Sequence, residues 1–387
     1  MASLTRSMAP SPRVDLATGA VLVLAELSRL GPATIRTLID AFAGPLEVLE
    51  ALATGAPVPV RLTRPQREAV RKVIAGRDAR GLAADAAAVA GRSLVPGDRL
   101  LGYGVSGYPS RLERLHFPPP VLWARGPLSA DAPRAVSVVG TRRSTAPARQ
   151  LAYELAAELA AAGVRVVSGL ASGIDGEAHR GALTAGGETA AVLGSGLRFR
   201  YPVQNHDLYA RLHGDGLILS EFPPHARPEP HNFPRRNRIV AALGDAVVVV
   251  QAGRRSGALL TAGEALDIGI DVLVCPGDPR HAANTGCHEL LRDGAGLVTC
   301  ADDVLSELGW STPGAPATDA ARPGAERPPN ERALIERLER EPAVLDELVE
   351  LAGGIGAATT LLTRLELAGA VRGLPGGRYE LAGGATG

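Results

Sequence analysis

Short runs of Val, Leu and Ala alternate with helical segments throughout residues 135–308, and this alternation constrains the fold more than any other feature. Seven runs have the length of a strand: 136–139, 164–167, 189–193, 217–219, 246–250, 272–274 and 297–299. Helical patterns lie between them at 147–162, 173–185, 257–268 and 302–308. Strands that are apolar almost without interruption are typical of a parallel sheet covered by helices on both faces. The pattern therefore predicts an α/β fold with a Rossmann-like, doubly wound parallel sheet.

Residues 14–76 have the pattern of a small helical domain. Apolar residues recur there at helical spacing, and Gly-Pro pairs at 31–32 and 44–45 separate the segments. Thr63 is placed to cap a last helix whose first turn contains a proline. We assign residues 1–80 to this domain and residues 81–310 to the domain that contains the sheet.

Two stretches have a less regular pattern. The segment LGPATIRTL (30–38) is similar to a helix-hairpin-helix turn, whose backbone amides bind a phosphate, although a simple corner between two helices has the same pattern. Residues 77–134 are Pro-rich and are expected to be irregular, apart from a short strand at 121–123.

The C-terminal part predicts a separate module behind a flexible linker. Residues 311–329 are rich in Pro, Ala and Gly, which is typical of a linker. Residues 330–387 then have the order helix, helix, helix, hairpin, which predicts a winged helix. This segment carries six Arg and nine Asp or Glu residues, a net charge of −3. A helix that reads a duplex is normally basic, so we expect this module to contact a protein or to modulate dimers.

Composition excludes several classes of protein. The 41 basic and 41 acidic residues cancel, so any anion site must be a local patch. Three widely spaced cysteines without a CxxC pair predict no metal site and suit a reducing cytosol, so we expect a cytoplasmic protein. The N-terminus lacks the apolar stretch of a signal peptide, and no run of about 18 apolar residues predicts membrane insertion.

Nine arginines lie in loops near the predicted carboxyl ends of the strands, where an open parallel sheet binds its ligands. They are Arg142, Arg143, Arg198, Arg200, Arg235, Arg236, Arg238, Arg254 and Arg255. Capped helix N-termini in the same loops also favour an anion. Together these features predict a basic crevice, although each pair alone has the pattern of a solvated loop. Asp175, Glu177 and Glu221 are near enough in sequence to neutralise some of the charge.

Motifs for bond-breaking chemistry are missing. The first glycine loop, GTRRST, lacks the GxGxxG spacing of dinucleotide-binding proteins, and no GxxxxGK[ST], GxSxG or HExxH motif occurs. His179 suits a packing histidine as well as a catalyst. Asp175 suits a helix-capping carboxylate, and Glu264 suits either a general base or a solvated helix face.

Five motifs in order resemble those of the DNA-processing protein A (DprA, also called Smf) family. They are VGTRRS, SGLASGIDGEAHRGAL, LGSGLRFRYPVQN, SEFPPHARPEPHNFPRRNRIVAAL and SGALLTAGEALDIGIDVLVCPGD, within about 100–310. The resemblance implies a sterile-alpha-motif-like (SAM-like) helical domain in front of the sheet and a winged helix behind it.

The resemblance also implies a function. It implies a protein that binds single-stranded DNA, protects incoming strands during natural transformation and loads the RecA recombinase, without nucleotide hydrolysis. It implies no cofactor and no enzymatic activity. The expected partners are single-stranded DNA, RecA, single-strand-binding protein and a second copy of the chain. Residues 283–297 are a candidate for the dimer interface.

The family's DNA-binding motifs carry over to named positions of this chain. They are Gly140, Arg142, Gly169, Gly173, Gly194, Gly196, Arg198, Arg200, Tyr201, Pro202, Asn205, Arg236, Asn237, Arg238, Ser256, Gly257 and Thr261. Many members place a lysine after the Tyr-Pro pair, where this chain has Val203 and Gln204, and Arg198 or Arg200 is a substitute for that charge. Aromatic residues near these loops are few, namely Phe199, Tyr201, Phe222 and Phe233. We therefore expect contacts mainly to the backbone, with one or two stacked bases.

Two other functions are compatible with the pattern. The segment SGALLTAGEAL has a fainter resemblance to nucleoside-monophosphate phosphoribohydrolases, although their PGGxGTxxE pattern is incomplete here. The second alternative is an interaction scaffold whose arginines are solvated.

Overall fold

The computed structural model describes residues 14–27, 29–310, 329–367, 370–374 and 377–381. The chain divides into two compact units, residues 1–313 and 314–387. Residues 1–13, at the N-terminus, and residues 311–328, most of the predicted linker, lie outside the described residues. None of the described helices is both long and apolar enough to cross a bilayer.

Five helices open the first unit. They are α1 (Leu16–Glu26), α2 (Pro32–Asp40), α3 (Pro45–Thr54), α4 (Arg64–Val73) and α5 (Ala79–Gly91). Proline occupies the first turn of α2, α3 and α4, where its missing N–H costs no hydrogen bond. The predicted cap at Thr63 is confirmed, since its side chain and that of Gln66 form a capping box at the start of α4. Helix α5 continues past residue 80, where the sequence predicts a domain boundary.

Nine described strands form one sheet. They are β1 (Asp98–Gly102), β2 (Val121–Arg125), β3 (Ala135–Gly140), β4 (Arg165–Ser168), β5 (Thr189–Val192), β6 (Leu217–Ser220), β7 (Ala246–Gln251), β8 (Asp271–Val274) and β9 (Gly296–Leu297). Their order is β1-β2-β6-β5-β4-β3-β7-β8-β9. Strands from β6 to β9 pair in parallel, whereas β1 and β2 add an antiparallel edge. The predicted doubly wound parallel sheet is therefore confirmed.

Helices cover both faces of the sheet. They are α6 (Ala146–Ala161), α7 (Ile174–Thr184), α8 (His206–Asp215), α9 (Asn232–Leu243), α10 (Gly257–Asp267), α11 (Thr285–Arg292) and α12 (Ala301–Glu307). Successive side chains of a strand point to opposite faces. Val136 and Val138 of β3 accordingly join one core cluster, while Val139 joins the cluster on the other face. Both faces are apolar because both are covered.

Part of this architecture departs from the sequence-based expectation. The short strand expected at 121–123 is confirmed as β2, but the rest of residues 77–134 is less irregular than expected, because it contains all of α5 together with β1. The antiparallel pairing of β2 with β6 explains the difference, because it extends the sheet beyond the alternating segment. From β3, the strands β4 to β6 are added on one side of the sheet, and β7 to β9 are added on the other side. The direction of strand addition therefore switches between β3 and β7. In open α/β sheets, this switch point is where a ligand crevice forms.

The second unit has the predicted winged-helix order. Its elements are α13 (Pro329–Arg340), β10 (Ala343–Val344), α14 (Leu345–Ala352), α15 (Ile355–Leu367), β11 (Val371–Leu374) and β12 (Arg378–Leu381). The strands pair antiparallel in the order β10-β12-β11. Leu334, Leu348 and Leu362 are among the buried residues of its core.

Candidate nucleic-acid interface

A cleft of about 620 Å³ opens at the switch point of the sheet. The loops after β3, β4 and β7 line it, together with the first turns of α9 and α10. These loops follow the carboxyl ends of parallel strands, so segments far apart in sequence meet at one edge.

An arginine and two aromatic rings form one wall of the cleft. The guanidinium carbon of Arg142 lies 4.8 Å from the centroid of the Phe233 ring. The ring of Tyr201 lies 5.8 Å from that of Phe233, with its plane tilted by 44°. Tyr201 is 43% exposed and Arg142 is also exposed, so both side chains are accessible to a ligand. The wall therefore offers a cation and an aromatic face side by side.

The N-terminus of α10 also lines the cleft. Ser256 caps this helix, and its hydroxyl accepts a hydrogen bond from the N–H of Ala258. Asn237 of α9 donates its side-chain amide to the carbonyl of Gly257 at 3.3 Å. Arg143 and Arg255 line the same cleft and are exposed. A helix N-terminus carries partial positive charge, so this side favours an anion.

Arg236 forms the floor of the cleft. Its side chain is 4% exposed, and Nη1 donates a hydrogen bond to the carbonyl of Val192 at 2.8 Å. Burial lowers the pKa of Arg236 to about 10; the nearby Asp175 opposes this shift and Arg142 adds to it. Among the described residues, Nε of Arg236 has no hydrogen-bond partner. The floor is thus a buried cation whose donors are incompletely used.

Asp175 organises the loops behind the floor. Its carboxylate lies in the first turn of α7, is 6% exposed, and accepts hydrogen bonds from the backbone of Ala171, Gly140 and Gly169. Burial raises the pKa of Asp175, and Arg236 and these backbone N–H groups partly oppose the rise. The carboxylate therefore joins the loops after β3 and β4 and balances the charge of Arg236. The carboxylate lies in the first turn of α7, as the sequence indicated, but α7 has no side-chain cap hydrogen bond, and Asp175 bonds the loops instead.

Two glycines are required by close contacts in these loops. A Cβ atom on Gly169 would lie 1.7 Å from Nη1 of Arg236, so any side chain there would displace the guanidinium. Gly173 has a φ of +83°, and a Cβ atom on it would lie 2.5 Å from the carbonyl oxygen of Thr141. Glycine alone adopts such a backbone without strain, so these positions fix how closely the loops approach each other.

The structure brings eleven of the sequence-predicted site residues to the cleft or its narrow extension. Gly140, Arg142, Gly169, Tyr201, Arg236, Asn237, Ser256, Gly257 and Thr261 line the cleft itself. Gly194 lines the extension, together with Pro202, and a Cβ atom on Gly194 would lie 2.7 Å from the Phe233 ring. Two further residues stand behind the loops. Gly173 supports the loop after β3, and Asn205 is buried and donates its amide to the carbonyls of Leu170 and Ala171.

Arg238 does not line the cleft, because α9 turns it to the other side. Its guanidinium pairs with Glu221 at 2.7 Å and donates to the carbonyl of Phe117 at 2.8 Å. Arg235 pairs with the same carboxylate at 3.1 Å. Burial raises the pKa of Glu221, and Arg238 and Arg235 oppose the rise. Two of the nine arginines therefore share one buried carboxylate, which neutralises one of their two charges, as the acidic residues in the sequence allowed.

Four other predicted positions also lie outside the cleft lining. Gly196 is buried, and its N–H donates to the carbonyl of Ala226. Arg200 lies 5.8 Å from the ring of Tyr209, and Arg254 pairs with Glu289 at 2.8 Å. Arg198 is exposed on the loop between β5 and α8. The cleft is accordingly less basic than the count of nine arginines implied. Four of them line it: Arg142, Arg143, Arg236 and Arg255.

Residues considered as catalysts lie apart from the cleft surface. His179 is fully buried, which matches its interpretation as a packing residue. Glu264 is seven residues into α10, about 10.5 Å along the axis from Gly257, and does not line the cleft. Sequence reasoning missed the pairing of Phe233 with Arg142, because helix α9 was not recognised from its polar, proline-containing start.

Comparison with known families gives two matches. A family model described as DNA recombination-mediator protein A matches residues 99–309, which is more than half of the chain. A model described as the DprA winged helix domain matches residues 318–377.

Individual relatives agree with these models. One relative is a DNA processing protein DprA of Mycobacterium tuberculosis. It is 44% identical over 291 residues, which cover 72% of this chain and 74% of that protein. The X-ray structure of DNA processing protein A from Streptococcus pneumoniae has a TM-score of 0.60 and 28% identity, covering 76% of this chain and 98% of that one. A structure of the Helicobacter pylori protein, described for its single-stranded DNA binding mode, has a TM-score of 0.50 and 32% identity over 56% of this chain and 97% of that one.

Proposed function

Because the chain belongs to the DNA recombination-mediator protein A family, we propose that it binds single-stranded DNA in the cleft and loads the RecA recombinase onto the bound strand. The family match supports a role in DNA processing and recombination mediation. Single-stranded DNA binding is the property described for the Helicobacter pylori relative. We extend the proposal to protection of incoming strands during natural transformation in the cytoplasm.

The convergence of arginines is the observation that carries the proposal. Arg142, Arg143 and Arg255 come from two loops and meet above the buried Arg236. With Asp175 as the carboxylate in the lining, these groups give a formal charge of +3 when all are ionised. Arginines bind phosphates without regard to sequence, and the binding weakens steeply with salt.

The aromatic wall supports a single strand as the ligand. Bases are free to stack on a side chain only when they are not paired within a duplex, and such stacking contributes about 1–3 kcal/mol per base. Tyr201 and Phe233 are placed to receive one or two bases beside the arginines. Phe222, another aromatic candidate from the sequence, is 8% exposed and lies outside the lining. The contacts are therefore expected to be mainly to phosphates.

The state of the polar groups supports binding without bond cleavage. Within the described lining, Asp175 is the only carboxylate, and it is buried against three backbone N–H groups. The hydroxyl of Ser256 accepts from its own helix cap. A general base must reach the proton that it removes, and Asp175, which is 6% exposed and held by these N–H groups, is not free to do so.

The remaining partners follow from the same role. We propose that RecA and single-strand-binding protein meet the chain on the bound strand, and that the chain forms a homodimer through residues 283–297. Leu297 of the edge strand β9 is 54% exposed, while Leu290 and Leu291 of α11 are only partly buried against the core.

The test is the salt dependence of binding to oligo-dT. Each phosphate contact on a single strand contributes about 0.7 to the slope of log K against log[salt]. The variant Arg142→Gln/Arg143→Gln/Arg255→Gln should therefore have a slope shallower by about 2 and about a hundredfold lower affinity at 0.1 M salt. RecA filament growth on strands coated with single-strand-binding protein should slow in parallel.

A matched control removes three exposed arginines elsewhere. The variant Arg92→Gln/Arg211→Gln/Arg280→Gln changes the net charge equally, but none of these residues lines the cleft. It should bind oligo-dT like the unmodified chain. An unchanged slope in a folded cleft variant would refute the proposal.

A further inference from the structure

Helix α4 carries a dense basic surface on the N-terminal helical domain. Residues 61–80 hold seven Arg or Lys residues and two acidic residues, a net charge of +5 in a chain whose formal charge is zero. The cations are all exposed: Arg61, Arg64, Arg67, Arg71, Lys72, Arg77 and Arg80. We name this surface the α4 face.

The spacing of the α4 face suits an extended polyanion. Arg64, Arg67 and Arg71 are three and four positions apart, so they form one stripe of the helix. With a rise of 1.5 Å per residue, the stripe covers about 10.5 Å of the axis. Each strand of a DNA duplex carries one charge per about 3.4 Å, so several phosphates fall within that length.

The protein itself neutralises only part of this charge. Glu50 of α3 pairs with Arg80 at 3.0 Å. Glu68 pairs with Arg64 at 3.1 Å, and both side chains are largely exposed. Asp78, the other acidic residue of the segment, accepts a hydrogen bond as the N-cap of α5. Within the described part of the chain, no carboxylate pairs with Arg71 or Lys72.

Helix stability explains only some of the charges. Cations in the last turn of a helix are favourable, which accounts for Arg71 and Lys72. Arg61, Arg64 and Arg67 lie before or within the first turns, where the helix dipole disfavours a cation. Like charges three or four positions apart also destabilise a helix. The surface therefore carries a cost that a polyanionic ligand would relieve.

The burial of α4 argues against a membrane or a protein as that ligand. A basic helix enters a bilayer surface through its apolar side, but Val70 and Ile74 of this helix are 8% and 0% exposed in the core. Protein interfaces are enriched in aromatic residues and Met as well as in Arg, and residues 61–80 contain no Phe, Trp, Tyr or Met. The exposed hydrophobic residue on the α4 face is Val73, at 36%.

We propose that the α4 face is a second, sequence-independent binding surface for the sugar-phosphate backbone of DNA. It holds DNA through phosphate contacts alone. This goes beyond the proposed function of the cleft and does not depend on it, since the two surfaces share no residue.

The test uses the full chain with Arg64→Gln/Arg71→Gln/Lys72→Gln. Arg67 is retained because its Nη1 donates to the carbonyl of Leu62 at 2.5 Å. The probes are oligo-dT of about 6 and about 40 nucleotides and a duplex of about 40 base pairs, titrated by fluorescence anisotropy over a range of salt. Binding to the short oligo-dT should match the unmodified chain. Affinity for the longer DNA should fall, with a slope shallower by about 2 on the single strand, or by nearly 3 if the duplex is the preferred form.

Controls separate this inference from the cleft. Equal salt slopes for the variant and the unmodified chain on both long probes would overturn it, provided that circular dichroism shows both folded. The same loss in the variant Arg92→Gln/Arg211→Gln/Arg280→Gln would also overturn it, because net charge would then be the cause. A loss of binding to phosphatidylglycerol vesicles with DNA binding unchanged would assign the face to membranes instead. If the cleft variant binds the short oligo-dT normally while the α4 variant loses long DNA, the proposed function fails and this inference stands.

Discussion

Lowering the pH from 7 to 5 should reduce the free energy of unfolding of the first unit by about 2 kcal/mol through His179. Burial lowers the pKa of His179 from 6.5 to about 3, and the nearby Arg236 and Arg180 add to this effect. The folded state thus disfavours the protonated ring. The stabilisation is fully present above pH 6.5 and is lost as the pH falls towards 3, at about 1.4 kcal/mol per pH unit.

The hydrogen bonds explain why this ring stays neutral. The Thr189 hydroxyl donates to the carbonyl of Val166 at 2.7 Å, so it must accept from Nδ1 of His179, also at 2.7 Å. The single proton of the neutral ring is therefore assigned to Nδ1. Nε2 has no hydrogen-bond partner among the described residues. A second proton would leave a buried cation without an acceptor, which is costly.

Denaturant unfolding of the variant His179→Phe measures this contribution. Phenylalanine keeps the ring's bulk and cannot titrate, and it loses one hydrogen bond worth about 1 kcal/mol. The variant should therefore be less stable than the unmodified chain at pH 7 and more stable at pH 5. Both tryptophans, Trp123 and Trp310, lie in the first unit, so their fluorescence reports its unfolding. Parallel stability curves for the two proteins between pH 7 and 5 would refute the reasoning.

Three further substitutions test the cleft. Asp175→Asn should destabilise the first unit by about 3–5 kcal/mol in denaturant unfolding, because it leaves Arg236 buried without a counter-charge; a loss below about 1 kcal/mol would contradict this. Gly169→Ala should displace the guanidinium of Arg236 and destabilise the first unit by about 1–3 kcal/mol. It should also weaken oligo-dT binding in anisotropy titrations, and a normal affinity would contradict this. Arg238→Gln should leave the salt slope of oligo-dT binding unchanged because Glu221 holds that side chain outside the cleft, and a shallower slope would place it in contact with DNA.

The strands of the central sheet could be predicted because they consist mostly of apolar residues, which are typical of buried strands. Strand β7 reads AVVVVQ and is buried throughout, and such runs have few alternatives to a covered parallel strand. Helix α9 was harder to recognise. Its start, NFPRRN, is polar and contains a proline, and its apolar residues cluster in the second half. Only packing against the sheet shows that the whole segment is one helix.

The sequence by itself determined that glycine-rich loops and arginines would gather at the carboxyl edge of a wound sheet, because parallel strands place the loops that follow them on one side. Only the tertiary structure decided which arginines face the cleft. Along α9, each residue turns by about 100°, so Arg235 and Arg238 lie on one side of the helix and Arg236 on another. Glu221 pairs with Arg235 and Arg238, whereas Asp175 lies near Arg236. The positions of those two carboxylates depend on long-range packing, which local sequence does not encode.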